Sequence, residues 1–482
     1  MRLYQQFVNE PDDRFPFSHG SQLTDLGASG LACVWFSGSL EGHGDVVGRL
    51  SRLHPGTDPL LGPQWQAGET IAAHPGRAVG NPVLHLGGDG TWHLFYVAFP
   101  PRQARETQLL HRRSRDAGWT WSEPVELAPA GFPPRPGLWP RHPLLVHEGA
   151  WLLPLCEIDR RPPRSLLWRS SDEGASWREL ALPKTDSLIQ PVLIGTPGHG
   201  LQVYLRDMRC RAIYRMVSND GGTSWSRPRA LDLPNNNSGI AVVPLASGRL
   251  ALAFTDQQRR DRRSPIVVAL SEDGGETWPL RRTLVPFLDV AAARVQYSYP
   301  SMVQRADGRL HLTLTWRAER VAHFVFDEDW IRQGEPRLAS VWPATAEAPL
   351  AALRRLDLGE TVYLADKTVQ LVEAPETLRG ALALCPLNDE LRREGTGPEA
   401  EIAFELHRPA RLVLAVDAEL RRLPKWMARM SPLAGELRTD RARFRLLTTA
   451  LQPGRHRLGA NAAPPAGGGH AMYFAYLLEE PS

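Results

Sequence analysis

Four copies of one eight-residue pattern restrict this chain more than any other feature in it. Positions 114–121 (SRDAGWTW), 170–177 (SSDEGASW), 218–225 (SNDGGTSW) and 271–278 (SEDGGETW) all read S-x-D-x-G-x-x-W, with first residues 56, 48 and 53 positions apart. Each follows a run of strand character (QLLHRR, SLLWR, AIYRMV, PIVVAL), and most lead into a short polar exit containing Pro. This is hairpin chemistry. The Asp carboxylate accepts hydrogen bonds from the backbone N–H groups of its own turn, the Gly supplies a positive φ, and the Trp covers the turn.

A second repeat lies between the first ones: a polar residue, usually before Pro, then an apolar strand, a turn and another apolar strand. Its copies open at His19, Asn81, His142, Gln190, Ser238 and Tyr299, at intervals of 62, 61, 48, 48 and 61 residues. Six copies, each with room for four strands, predict an all-β fold, a six-bladed β-propeller whose innermost strands begin at these polar residues. If the strands start at one end of a central channel, the six residues form a ring there, which a polar ligand requires and an apolar strand does not.

Composition supports the division. Of 15 tryptophans, 14 precede residue 345. After Trp342 the boxes stop, and seven short strand-like runs (TVYLAD, TVQLVE, ALALC, EIAFELH, ARLVLAVD, RFRLLTT, MYFAYLLEE) fit an antiparallel β-sandwich. The expected domains are a propeller over 1–342 and a sandwich over 343–482. Lys plus Arg is 56 against 53 acidic residues, with the basic residues scattered, which argues against a nucleic-acid partner. No apolar run is long enough to span a bilayer, and the opening MRLYQQFVNEPDD has no leader pattern. That predicts no membrane partner and a cytoplasmic location, or a periplasmic or secreted one if a leader lies outside this numbering. Cys33, Cys156, Cys210 and Cys385 are far apart and are read as reduced thiols, and the spacing of His19, His142 and His323 fits no metal motif, so no cofactor is expected.

The boxes in a six-blade frame resemble the Asp-box (BNR) repeats of the sialidase (neuraminidase) superfamily. Segments 32–47 (ACVWFSGSLEGHGDVV), 80–83, 233–241 (LPNNNSGIA) and 297–316 (YSYPSMVQRADGRLHLTLTW) resemble a bacterial branch usually called predicted neuraminidases. The resemblance covers about residues 10–330. It implies that the box aspartates are structural and that the protein is a retaining exo-glycosidase for a terminal acidic sugar, sialic acid or a related nonulosonic acid. Such an enzyme uses a Tyr nucleophile assisted by a Glu, an Asp acid/base in a loop, and arginines on the substrate carboxylate.

Carried over by position, Tyr297 matches the tyrosine of the Tyr-Ser motif, with Tyr299 on the same side of a regular strand as its competitor. Asp45, in Glu41-Gly-His-Gly-Asp45, is the acid/base candidate and Glu41 its alternative; Glu157, ending WLLPLCE, is the candidate base. The substrate clamp is expected from His19, Asn81, His142, Gln190, Asn237, Ser238, Arg206, Arg317 and Arg320, with Arg211 and Arg263 also near strand ends. The arginine that opens the first blade of sialidases is absent: Phe17-Ser18-His19-Gly20 stands there. Two other readings use the same scaffold: a lyase or hydrolase of uronic-acid polysaccharides working through His19 or His142 and a tyrosine, and a non-catalytic glycan-binding propeller.

Overall fold

The computed structural model describes residues 3–54, 65–196, 198–285 and 297–334, together with 339–342, 351–355, 371–373, 378, 382–386, 402–406, 409–418, 427, 429–439, 443–458 and 473–479. The chain divides into two compact units, Met1–Leu284 with Ala291–Gly334, and Glu335–Ser482 with Val285–Val290.

The first unit holds six antiparallel sheets, one for each copy of the second repeat. Their innermost strands are Phe17–Asp25, Ala78–Leu86, Leu138–Pro140 with Leu145–His147, Leu188–Thr196, Ala241–Pro244 and Tyr297–Gln304. These strands adjoin in chain order, and Tyr297–Gln304 also lies beside Phe17–Asp25. The outer strand of the sixth sheet is Tyr4–Phe7, which pairs with Arg320–Phe326. This short strand went unread in the sequence because YQQF carries no apolar alternation.

The Asp-box turns form as their chemistry requires. In the first, Asp116 Oδ1 accepts from Thr120 N at 2.9 Å and Ser114 Oγ at 2.7 Å, while Trp121 Nε1 donates to Gly118 O at 3.0 Å. Hydrogen bonds to the carboxylate hold the pKa values of Asp116, Asp172 and Asp220 at about 2. Trp177 and Trp278 sink into the cores beside their boxes. Between the second and third sheets, Phe95, Trp151, Trp168 and Trp177 pack as one cluster. Truncating such a residue to Ala costs about 3–5 kcal/mol.

The innermost strands differ from expectation in a way that matters for the site. Four of them start two or three residues before the polar ring position, and the ladder skips there, between His19 and Gln22, Gly80 and Val83, Ile189 and Val192, and Ser298 and Ser301. Inside each bulge one residue has a positive φ: Gly20 (66°), Asn81 (45°), Gln190 (52°) and Tyr299 (54°). The first-sheet equivalent of Asn81 and Tyr299 is therefore Gly20, and His19 stands one residue before it. Glycine is needed there, since a Cβ would come within 2.4 Å of the Phe36 ring.

In the second unit a seven-stranded antiparallel sheet runs in the order Ala351–Arg355, Leu382–Pro386, Tyr473–Glu479, Ala410–Asp417, Arg443–Leu451, Ser431–Thr439, Leu371–Glu373. A three-stranded sheet contains Ala339–Trp342, Ile402–Leu406 and Gly454–Leu458. Ser431–Thr439 was not expected, because its Pro and Gly hide a strand that bulges between Leu433 and Glu436. Ala351–Arg355, outside the seven expected runs, is also a strand; the run TVYLAD lies outside the described residues.

Candidate active site

The bulges turn Tyr299 out of the strand and into a cage of arginines. A non-glycine residue at positive φ costs about 1–3 kcal/mol, and this one precedes Pro300, so neighbouring groups must hold it. Arg141 does so. From the third sheet its guanidinium donates to Ser21 O at 3.1 Å on the first sheet and to Tyr299 O at 3.1 Å on the sixth. Its charge lies 4.9 Å from the centre of the tyrosine ring. Burial pulls the Arg141 pKa down to about 10, so it remains a cation at neutral pH.

Arg206 closes the cage from the fourth sheet. Its Nη1 donates to Gln190 Oε1 at 2.7 Å and to Tyr299 Oη at 3.3 Å, and its Nε to Asn237 Oδ1 at 3.1 Å. Gln190 and Asn237, both at positive φ, thus aim the arginine. Arg263 stands 5.8 Å from the tyrosine ring centre. His19 packs edge-on against the same ring, with centroids 4.6 Å apart. Burial, reinforced by the arginines, pushes His19 and His142 far below the usual imidazole range, and both are neutral. His19 Nδ1, His142 Nε2, Arg141 Nε and Arg263 Nη1 are buried with no hydrogen-bond partner among the described residues.

Burial alone would raise the Tyr299 phenol, but Arg206 and Arg263 outweigh it and the net shift is downward. The carboxylate that faces this cage is Glu41. It sits in the hairpin loop after Leu31–Gly38, partly open to solvent; surrounding protein raises its pKa, and Arg263 and Arg206 pull it back. Asp45 closes the loop that carries Glu41: it accepts from Ser39 N at 3.0 Å and Ser39 Oγ at 2.9 Å. The site therefore combines a phenol biased toward phenolate, a carboxyl biased toward its acid form, and three guanidiniums.

Several expected residues lie elsewhere. Tyr297 is fully buried and stacks edge-on against Trp316 at 4.6 Å. Glu157 is taken up by Arg164 at 2.6 Å and Arg135 at 3.3 Å. Both arginines also reach Glu179, so Glu157 belongs to a four-membered charge cluster. Among the described residues no carboxylate hydrogen-bonds the Tyr299 hydroxyl. Arg317 pairs with Glu319, Arg320 with Glu10, and Arg211 with Asp207. Asn81 donates to Pro140 O at 2.9 Å, joining the second and third sheets next to Arg141. Ser238 bonds Asn236 and Thr255, and Asn235 orders the turn around Asn237. Arg141 was missed altogether, although an arginine directly before the ring residue His142 was the available signal.

Arg141→Met is expected to destabilise the first unit by about 2–4 kcal/mol, since it strands two carbonyls that the arginine now pairs. Arg141→Lys should recover only part of this, because an ammonium lacks the planar fork that reaches both. Urea unfolding followed by tryptophan fluorescence measures both variants; equal stability of Arg141→Met and wild type would contradict the bridging role.

Six antiparallel sheets and a cluster of three arginines at Tyr299 define an all-β repeat protein with positive charge gathered at one tyrosine. The chain belongs to the BNR repeat-like domain family, whose model matches residues 29–312. Three solved structures share its fold. A Hadza microbial sialidase is 18% identical, with 68% of this chain and 69% of that chain covered and a TM-score of 0.56. The leech intramolecular trans-sialidase, solved with 2,7-anhydro-Neu5Ac, is 12% identical, with coverages of 68% and 71% and a TM-score of 0.55. The Trypanosoma rangeli sialidase, solved with the inhibitor DANA, is 10% identical, with coverages of 98% and 95% and a TM-score of 0.54. No curated protein matches the chain. At these identities the likeness is one of fold.

Proposed function

We propose that this protein is an exo-acting, retaining glycoside hydrolase of sialidase type that removes a terminal acidic sugar, with Tyr299 as nucleophile. The six sheets are read as a six-bladed propeller over 1–342 and the C-terminal sheets as a β-sandwich accessory domain over 343–482. The observation that carries the reading is the Tyr299 hydroxyl among Arg141, Arg206 and Arg263, with its acidity raised by Arg206 and Arg263.

In this reading Arg206 and Arg263 receive the sugar carboxylate, and Arg141, which donates to backbone carbonyls on two sheets, positions Tyr299. The Tyr299 oxygen bonds to the anomeric carbon as the glycosidic C–O bond breaks, its phenol proton passing to solvent. Glu41, whose pKa is raised, acts as the general acid and gives its proton to the departing oxygen. A water then attacks the tyrosyl-linked sugar, Glu41 takes the water's proton, and the phenolate leaves. His19, His142, Gln190 and Asn237 supply the polar wall around the sugar. The buried nitrogens without partners among the described residues support a ligand at this place.

A panel of fluorogenic glycosides, including several nonulosonic acids and uronic acids, tests the reading. Glu41→Gln is expected to lower kcat by about 10²–10³-fold on aryl glycosides with poor leaving groups, and less on those with good ones. Absence of turnover on every acidic glycoside would defeat the hydrolase assignment. The edge contact between His19 and Tyr299 favours one second reading, elimination from a uronate polymer, which the same panel separates by an unsaturated, ultraviolet-absorbing product.

A further inference from the structure

The site has a basic lip. Two segments meet beside it, residues 206–211 (RDMRCR) at the end of the second strand of the fourth sheet and in the turn that follows, and residues 256–263 (DQQRRDRR) after the second strand of the fifth. Together they contain seven arginines against three aspartates, a net +4, which exceeds the formal +3 of the whole chain. Each segment also sends one arginine inward, Arg206 and Arg263, to the Tyr299 cage.

The segments are fastened to each other. Arg260 donates to the Met208 carbonyl, Gln258 Nε2 donates to Arg211 O at 2.7 Å, and Asn236 Nδ2 donates to Arg259 O at 3.3 Å from the turn that orients Arg206. Asp207 is engaged by Arg211, Asp261 by Arg259 and Arg262, and Asp256 lies 4.0 Å from Arg281 outside the lip, so each acidic residue already has a basic partner. Arg209, Arg211, Arg259 and Arg260 face solvent. Like charges gathered at one edge repel one another, and an anion laid across them relieves that repulsion as well as gaining their attraction.

We infer that the substrate is a polyanionic glycan, a linear oligosaccharide with a carboxylate on each sugar, whose units beyond the scissile bond lie along this arginine lip. The inference rests on the proposed site at Tyr299, since the lip begins where the Arg206 and Arg263 side chains enter it. A monosaccharide would use only the inner pair. A chain of acidic sugars would place successive carboxylates outward across Arg209 and Arg260, each exposed guanidinium adding a modest, salt-screened increment.

The test is fluorescence polarisation with the full chain and two labelled probes, an oligosialate and an oligogalacturonate, which distinguish nonulosonate from uronate polymers. A neutral maltooligosaccharide and a single-stranded DNA oligonucleotide serve as competitors. The expected result is that one anionic oligosaccharide binds, that raising the salt concentration weakens it, and that Arg209→Ser/Arg260→Ser raises its Kd about tenfold. Tyr299→Phe should bind it as tightly as wild type, so loss of catalysis and loss of the lip are read separately. The inference is overturned if neither anionic probe binds, if the double substitution shifts Kd less than twofold, or if the neutral sugar or the DNA competes as well as the anionic oligosaccharide.

Discussion

Tyr299→Phe should lower kcat on an acidic aryl glycoside by at least about 10³-fold while leaving ligand binding and the melting temperature close to those of wild type. The substitution removes one oxygen. It keeps the ring that stacks with His19 and faces Arg141, and it keeps the backbone carbonyl that Arg141 holds. Tyr297→Phe is the matched control, because it keeps the buried ring that Tyr297 packs against Trp316. Its turnover should stay within a few-fold of wild type. Initial rates on one fluorogenic substrate decide between them, and inactivation by Tyr297→Phe with survival of Tyr299→Phe would reverse the assignment.

The fold should also be markedly sensitive to acid. Two histidine pairs are buried at matching places in the second and sixth sheets: His93 Nδ1 lies 3.1 Å from His111 Nε2, and His311 Nδ1 lies 3.0 Å from His323 Nε2. The second pair has a defined proton arrangement. Trp65 Nε1, which can only donate, points at His323 Nδ1 at 3.1 Å, so the His323 proton sits on Nε2 and is given to His311. Burial, with smaller contributions from neighbouring charges, lowers His85, His93 and His311 to about 4 and His111 to about 3.

These groups bind protons more readily in the unfolded chain, whose imidazoles titrate near 6.5. Stability is therefore complete above about pH 6.5 and falls as the pH drops toward about 4, each unit of depression carrying about 1.4 kcal/mol. The box aspartates add nothing in this window, since they are ionised in both states above pH 4.5. A fall in Tm of about 10 °C or more is expected between pH 7 and pH 4.5, measured by scanning calorimetry. A flat Tm over that range would contradict neutral, buried histidine pairs.

The repeated architecture was legible because it is written locally. Asp-box spacing marks hairpins, and polar-Pro starts mark innermost strands, so the all-β, repeated character follows from short windows of sequence. Tyr297 and Tyr299 show where that reading stops. On a regular strand they would share a face, but the bulge between Ser298 and Ser301 sends Tyr299 to the arginines and leaves Tyr297 in the core. Positive φ before proline is not signalled by residue type, because isolated residues avoid it.

The arginines were harder for another reason. Arg141, Arg206 and Arg263 come from three different repeats, and each looks locally like an ordinary surface residue. Only their convergence on one ring gives them a role, and their spacing of roughly one repeat was the trace left in sequence. Glu157 failed in the opposite direction. Its strand end suited a catalytic base, but Arg135 and Arg164 claim both of its oxygens. Glu41 instead gained its place from a loop whose closure by Asp45 depends on hydrogen bonds that sequence alone does not reveal.

The central claim is that the Tyr299 oxygen bonds to the sugar. Incubation with a fluorinated acidic glycosyl fluoride, which forms the tyrosyl-linked sugar quickly and releases it slowly, followed by proteolysis and mass spectrometry, tests this directly. The account predicts one added sugar on the peptide containing Tyr299, absent in Tyr299→Phe. An adduct on Tyr297, Glu41 or Glu157, or turnover of the parent glycoside with no adduct on any residue, would contradict it.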